Sequence, residues 1–190
     1  MSDYDLSSLH VLIADDYEPM RTILRGILRE LGIKAVAEAS SGAAALEKLK
    51  ESGIDLVIMD YCMTPTDGID FTRRIRKGIK GVDPFIPIIL VTAYTEIKNI
   101  LDARDAGVTE FLAKPISAKL VYYRIRSVIE NPRPYVHSEI YVGPDRRRRR
   151  LTVNGPERRG GRESDGADTG ASGNAGRSEA RMPPGAGGAT

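Results

Sequence analysis

Polar residues close the short apolar runs of this chain at regular intervals. "HVLIADD" ends in Asp15 and Asp16, "IDLVIMD" in Asp60, "IPIILVT" in Thr92, and "TEFLAKP" in Lys114, with Pro115 next. Three carboxylates, a hydroxyl and an amine make a set with definite chemistry once they are brought together. Crowded carboxylates repel and raise one another's pKa unless a cation joins them. An all-oxygen set suits Mg²⁺, which keeps several waters, takes one or two carboxylates and commonly bridges protein to phosphate. Lys114 adds a positive charge and Thr92 a hydrogen-bond donor, which with the metal would stabilise the equatorial oxygens of a phosphoryl group in transfer. An aspartate can accept that group as an acyl phosphate, and Asp60, between the acid pair and the lysine, is the candidate. Alone, each of these residues reads as a turn former, a helix cap or a solvated charge. Their joint occurrence at successive run ends is what points to a site.

The runs at 9–14, 34–37, 54–59, 87–91 and 110–113 have the length of buried strands. Between the first two, Met20, Ile23, Leu24, Ile27, Leu28 and Leu31 recur at helical spacing, and Gly32 stands where a helix stop is expected. Weaker helical patterns cover 42–51, 68–77, 96–106 and 117–130, the last with Val121, Ile125, Val128 and Ile129 on one face. Helix 96–106 is the least amphipathic, with a stripe of Ile97, Ile100 and Leu101, and is the expected mobile element. Strand and helix alternate five times. Parallel neighbours need long right-handed crossovers, so the expectation is an α/β fold, a doubly wound (βα)5 domain whose sheet is covered on both faces. Ligands of such sheets bind beyond the carboxyl ends of the strands, where the polar residues stand.

Composition narrows the classes. No run approaches the roughly 18 apolar residues of a membrane span, and "MSDYDLSS" lacks the order of a secretory signal, so a cytoplasmic protein without membrane contact is expected. The lone Cys62 excludes an internal disulfide, and two histidines, His10 and His137, argue against a zinc centre. The formal charge of +2 hides a split: residues 1–131 carry 17 Lys+Arg against 19 Asp+Glu, and residues 132–190 carry 11 against 7, with 11 of the 19 glycines. The expected organisation is an N-terminal extension at 1–8, the domain at 9–131, a docking or linker segment at 132–150 and a disordered tail at 151–190.

The segments "VLIADD", "DLVIMDYCMTPTDG", "IPIILVTAY" and "FLAKP" stand in an order and spacing that resemble the receiver domains of two-component response regulators over about 9–130. The resemblance implies a five-stranded sheet of flavodoxin-like order 2-1-3-4-5. It implies Asp60 as phosphoacceptor, with Asp16, Asp60 and the backbone carbonyl of Cys62 as direct Mg²⁺ ligands and Asp15 acting through water. Thr92 matches the switch hydroxyl and Lys114 the phosphoryl-binding lysine, with a cis bond to Pro115. Phe111 matches the switch aromatic, commonly a tyrosine, without its hydroxyl. Tyr61, Cys62 and Tyr94 flank the site where such neighbours tune the lifetime of the phosphoryl group. The implied partners are a histidine kinase or phosphotransfer protein as donor and an output protein. That output protein would read the face formed by the fourth helix, fifth strand and fifth helix. Such a domain catalyses its own phosphorylation and dephosphorylation and is not an enzyme on external substrates. One departure concerns the loop after Asp60: Thr64 holds the place of the usual proline and Pro65 follows, although Gly68 keeps its place eight residues on.

Three other readings compete. A Mg²⁺-dependent phosphohydrolase would use Asp60 as nucleophile, but Cys62 stands where an acid/base aspartate would be, and there is no cap insertion. A flavodoxin-like nucleotide binder would need a glycine-bearing first loop, and "DDYEPM" is acidic. A nucleic-acid adaptor would use Arg146, Arg147, Arg148, Arg149 and Arg150; no aromatic residue follows them, and the remaining length has no room for a helix-turn-helix. Upstream, residues 135–142 are aromatic and β-branched enough to dock as an extended segment, and "YVGPDRRRR" looks like a pattern that follows some bacterial receiver domains.

Overall fold

A computed structural model of the 190-residue chain describes residues 5–51, 53–93, 97–138 and 141–146. Five parallel strands, β1 (His10–Ala14), β2 (Ala35–Ala39), β3 (Leu56–Asp60), β4 (Ile88–Thr92) and β5 (Glu110–Ala113), lie in the order β2-β1-β3-β4-β5. Helices α1 (Glu18–Glu30), α2 (Gly42–Lys50), α3 (Gly68–Arg76), α4 (Ile97–Asp105) and α5 (Ala118–Glu130) follow them in turn. This is the expected doubly wound sheet in the expected order. β3 and β4 are buried at every position, which is why they read as unbroken apolar runs.

Alternation along the strands splits the core in two. Val11, Ile13, Ile58, Ile89 and Val91 face Leu24 and Leu28 of α1 and Val121 and Ile125 of α5. Leu12, Val57, Met59, Ile88 and Leu90 face Leu49 of α2, Phe71 and Ile75 of α3, and Ala103 of α4. Each fully buried Leu or Ile contributes about 1.5–3 kcal/mol. Helix starts are fixed locally: Ser41, Asp67 and Ser117 accept from the backbone N–H groups of Ala44, Asp70 and Leu120. Ile23 of α1 and Ile129 of α5 remain exposed although both belong to the helical stripes of the sequence. On α4 the core-facing residue is the small Ala103, and the larger Ile100 and Leu101 of the stripe are exposed.

After α5 the chain forms an antiparallel hairpin of β6 (Tyr135–His137) and β7 (Val142–Pro144), a sheet of its own. It packs over Arg76 at the end of α3, which is 4% exposed. Arg76 donates from Nη1 to the Pro84 carbonyl (2.7 Å) and from Nε to the Gly107 carbonyl (3.1 Å), with the Tyr135 ring 5.5 Å away. Contact is backbone to backbone: a Cβ on Gly143 would come within 2.9 Å of the Gly107 Cα. The folded body therefore continues past Asn131, where composition puts its edge. Tyr135–His137 and Val142, from the stretch that the sequence marks out for docking, belong to this hairpin. The chain divides into units at 1–150 and 151–190. The disorder expected of 151–190, Arg147 to Arg150 of the arginine run, and Tyr94 lie outside the described residues. Among the described residues no helix is long and apolar enough to cross a membrane.

Candidate functional site

The strand order sets β1, β3, β4 and β5 side by side, so Asp15 and Asp16, Asp60, Thr92 and Lys114 come to one sheet edge. Asp60 is 6% exposed, and each of its oxygens has a partner. Lys114 Nζ lies 2.7 Å from Oδ1, and the Cys62 backbone N–H donates to Oδ2 at 3.0 Å. Asp15 is more deeply buried. Its Oδ1 accepts from the Tyr17 backbone N–H at 2.8 Å, while Oδ2 has no hydrogen-bond partner among the described residues. Burial pushes the Asp15 carboxyl above its ordinary value; the charges of Asp60 and Asp16 add to this, against the Tyr17 N–H and Lys114. Arg21 braces the turn by donating to the Asp15 carbonyl at 2.8 Å.

Asp16 is exposed, and its Oδ2 faces the Thr64 backbone N (3.3 Å) and Oγ1 (3.4 Å). This contact gives the sequence departure a physical meaning, because proline at 64 would have no N–H to offer. The loop closes at Gly68, whose N–H donates to the Tyr61 carbonyl at 2.9 Å. A Cβ there would meet the Asp60 carbonyl oxygen at 2.5 Å and a Leu90 methyl at 2.6 Å, so only glycine allows the approach.

Thr92 is buried beside the acids, and its carbonyl accepts from the Lys114 backbone N–H at 2.9 Å. The Lys114–Pro115 and Thr64–Pro65 peptide bonds are both cis. Phe111 is half-buried against the core and lines a groove between α4 and α5.

Among the described residues no three His, Cys, Asp or Glu side chains gather into a closed metal cage. The fit for a cation is of another kind. Among the described residues, a buried carboxylate oxygen without a partner stands beside a second carboxylate that is ion-paired to Lys114. Mg²⁺ suits this, since it needs only one or two carboxylates and completes its shell with water. Three structural features escaped the sequence reading: the donors of Thr64, the burial of Arg76, and the hairpin's glycine contact. Only the first left a signal there, as the displaced proline.

Residues 11–126 match the family model of the response regulator receiver domain. The chain is 33% identical over 122 residues to the chemotaxis protein CheY of Pseudomonas aeruginosa, covering 64% of this chain and 97% of that protein. It is 32% identical over 123 residues to chemotaxis protein CheY-3 of Vibrio cholerae, covering 65% and 93%. Among solved structures, Vibrio cholerae CheY4 superposes with a TM-score of 0.58 at 26% identity, over 63% of this chain and 98% of that one. The receiver domain of the sensor histidine kinase PA1611 from Pseudomonas aeruginosa, with a magnesium ion coordinated in its active-site cleft, gives 0.57 at 26% identity, over 65% and 98%.

Proposed function

The chain belongs to the response regulator receiver domain family, and on that premise we propose that it is a phosphoacceptor switch of a two-component or phosphorelay pathway, with Asp60 as the acceptor. An Asp60 carboxylate oxygen attacks the phosphorus of a phosphohistidine on a histidine kinase or phosphotransfer protein. The P–N bond breaks, the imidazole leaves with the electron pair and takes up a proton, and Asp60 carries an acyl phosphate. Asp16, Asp60 and the backbone carbonyl of Cys62 would hold Mg²⁺, with Asp15 acting through water. When bound, the ion neutralises charge on the phosphoryl oxygens.

Lys114 supplies the second positive charge. Its Nζ leaves the carboxylate oxygen it now contacts at 2.7 Å and follows the developing charge onto a phosphoryl oxygen. The Thr92 hydroxyl then turns toward the new oxygens and Phe111 fills the space it leaves, which alters the face of α4, β5 and α5 that a protein partner reads. The observation that carries this reading is the Lys114–Asp60 contact beside the unpartnered oxygen of Asp15.

The test is intact mass after incubation with a small-molecule acyl phosphate, with and without Mg²⁺, for the protein and its Asp60→Asn variant. One phosphoryl group on the wild type alone, and only with Mg²⁺, is expected. An adduct that survives Asp60→Asn, or none on the wild type under any condition, would overturn the assignment.

A further inference from the structure

The two carboxylates after β1 stand on a turn that is held from several sides. The Asp15 N–H donates to the Ala39 carbonyl of β2 at 3.1 Å, and the Tyr17 N–H donates to Asp15 Oδ1 at 2.8 Å. The Tyr17 carbonyl accepts from the N–H groups of Met20 (3.0 Å) and Arg21 (3.3 Å), which opens α1. The Asp15 carbonyl is met by a side chain, Arg21 Nη1, at 2.8 Å. That carbonyl shares one rigid peptide plane with the Asp16 N–H, so fixing its direction fixes the direction from which the Asp16 side chain leaves the main chain. Asp16 is exposed and its contacts to Thr64 are long, at 3.3 and 3.4 Å, which leaves the main chain the larger share in aiming it.

The guanidinium is anchored in its turn. Arg21 Nε lies 3.5 Å from Oε2 of Glu38 on β2, and Arg25, one turn further along α1, pairs with the other oxygen of the same carboxylate. The two arginines differ in what else they reach. The Arg21 side chain is 15% exposed and its fork spans Glu38 and the Asp15 carbonyl, whereas the Arg25 side chain is 37% exposed and pairs with Glu38. A lysine ammonium, a point charge on a flexible stem, does not reproduce such a fork.

We infer that Arg21 is a positioning residue for the cation site, and that it raises Mg²⁺ affinity by holding the Asp15 carbonyl and thereby aiming Asp16. The inference rests on the switch reading, in which Asp16 is a ligand of the ion. Position and charge act here in opposite directions, so the sign of the effect decides between them. A guanidinium near two carboxylates opposes a second cation, and its removal would tighten Mg²⁺ binding if charge governed. Loss of a group that orients a metal ligand weakens binding, typically by about 10-fold to 100-fold. Arg21 acts through the backbone on an exposed carboxylate, which places its effect at the lower end.

The test titrates Mg²⁺ calorimetrically into the full, unphosphorylated chain and into Arg21→Met, Arg21→Lys and Arg25→Met. Arg21→Met is expected to weaken Mg²⁺ binding by about tenfold, and Arg21→Lys, which keeps the charge without the fork, by about threefold. Arg25→Met removes the other arginine on Glu38 without touching the carbonyl and should leave the affinity unchanged. Phosphorylation by a small-molecule acyl phosphate should shift its Mg²⁺ dependence by the same factor, while its rate at saturating Mg²⁺ stays within about twofold. Tighter or unchanged binding by Arg21→Met, unchanged binding by Arg21→Lys, or equal weakening by Arg25→Met would each overturn the inference. Arg21→Lys carries the test alone if Arg21→Met does not fold. The two readings fail separately: Mg²⁺ binding that depends on Arg21 with no phosphorylation sinks the switch alone, and a phosphorylated wild type whose Mg²⁺ affinity ignores Arg21 sinks this inference alone. A wild type that binds no Mg²⁺ sinks both.

Discussion

Lys114 Nζ and Asp60 Oδ1 lie 2.7 Å apart although β4, with Thr92 at its end, stands between their strands in the sheet. The lysine must therefore reach across a neighbouring strand, and it does so in a setting where the Asp60 side chain is 7% exposed and its own 28%. A charge held there acts through a poorly screened path. Lys114→Met keeps the length of the stem and removes the charge. Phosphorylation of Asp60 by a small-molecule donor should slow by about 10²-fold or more, as when one preorganised electrostatic partner is lost. An unchanged rate by intact mass would remove Lys114 from the chemistry.

Asp15 gives a stability prediction with a definite sign. An acid whose folded pKa is raised holds its proton more tightly folded than unfolded. Its protonated form favours folding, and stability is lost as pH rises from the ordinary carboxylate value through the raised one. Asp15→Asn abolishes that loss and keeps an oxygen for the Tyr17 N–H. In metal-free buffer near neutral pH the variant should be more stable than wild type, with the gain shrinking in acid. Urea midpoints at the two pH values measure it, and a destabilised variant at neutral pH would contradict the burial argument.

Gly68 sits at the other limit of tolerance. A methyl group there would meet the Asp60 carbonyl oxygen at 2.5 Å and Leu90 at 2.6 Å, and the first of these is backbone that cannot rotate away. Gly68→Ala should cost about 1–3 kcal/mol and displace the Asp60 carbonyl. The readout is the urea midpoint together with the phosphorylation rate, and both should fall.

How much of this was legible in the chain depends on the range of each interaction. β3 and β4 are read from the sequence because burial on both faces makes every residue apolar. The edge strand β2 is read less well. It spans Ala35–Ala39 where the apolar run suggests 34–37, since Glu38 belongs to the strand and pairs with Arg21 and Arg25 of α1. The convergence of Asp15, Asp16, Asp60, Thr92 and Lys114 was legible because the fold puts strand ends together. Thr64 and Asp16, 48 residues apart, and the hydrogen bond from Arg76 to Gly107, 31 apart, depend on side-chain contacts that no local pattern encodes.

Thr64 leads to a prediction about the metal. Its N–H and hydroxyl both point at Asp16 Oδ2, an oxygen that would serve a cation. The contacts are long and exposed, so each is worth at most about 0.5–1 kcal/mol. Thr64→Ala removes the hydroxyl and leaves the N–H, and it should tighten Mg²⁺ binding by roughly twofold to fivefold in a calorimetric titration. Weaker binding would show that Thr64 orients Asp16 for the metal instead of competing with it.

The hairpin of β6 and β7 forms no part of the five-stranded sheet, and an isolated two-stranded hairpin is marginal in water. Its order must come from docking, which centres on Gly143 against Gly107 and on Tyr141, whose hydroxyl donates to the Pro144 carbonyl at 2.6 Å. A Cβ at Gly143 would come to 2.6 Å from that hydroxyl and 2.9 Å from the Gly107 Cα, so Gly143→Ala forces the hairpin off its seat. The cost, about 1–3 kcal/mol, falls on a local opening and not on the whole fold. Hydrogen exchange should therefore speed up at the paired amides of β6 and β7, while amides of β1, β3 and β4 keep their protection. Uniformly faster exchange across the sheet would mean instead that the hairpin is an integral part of the core.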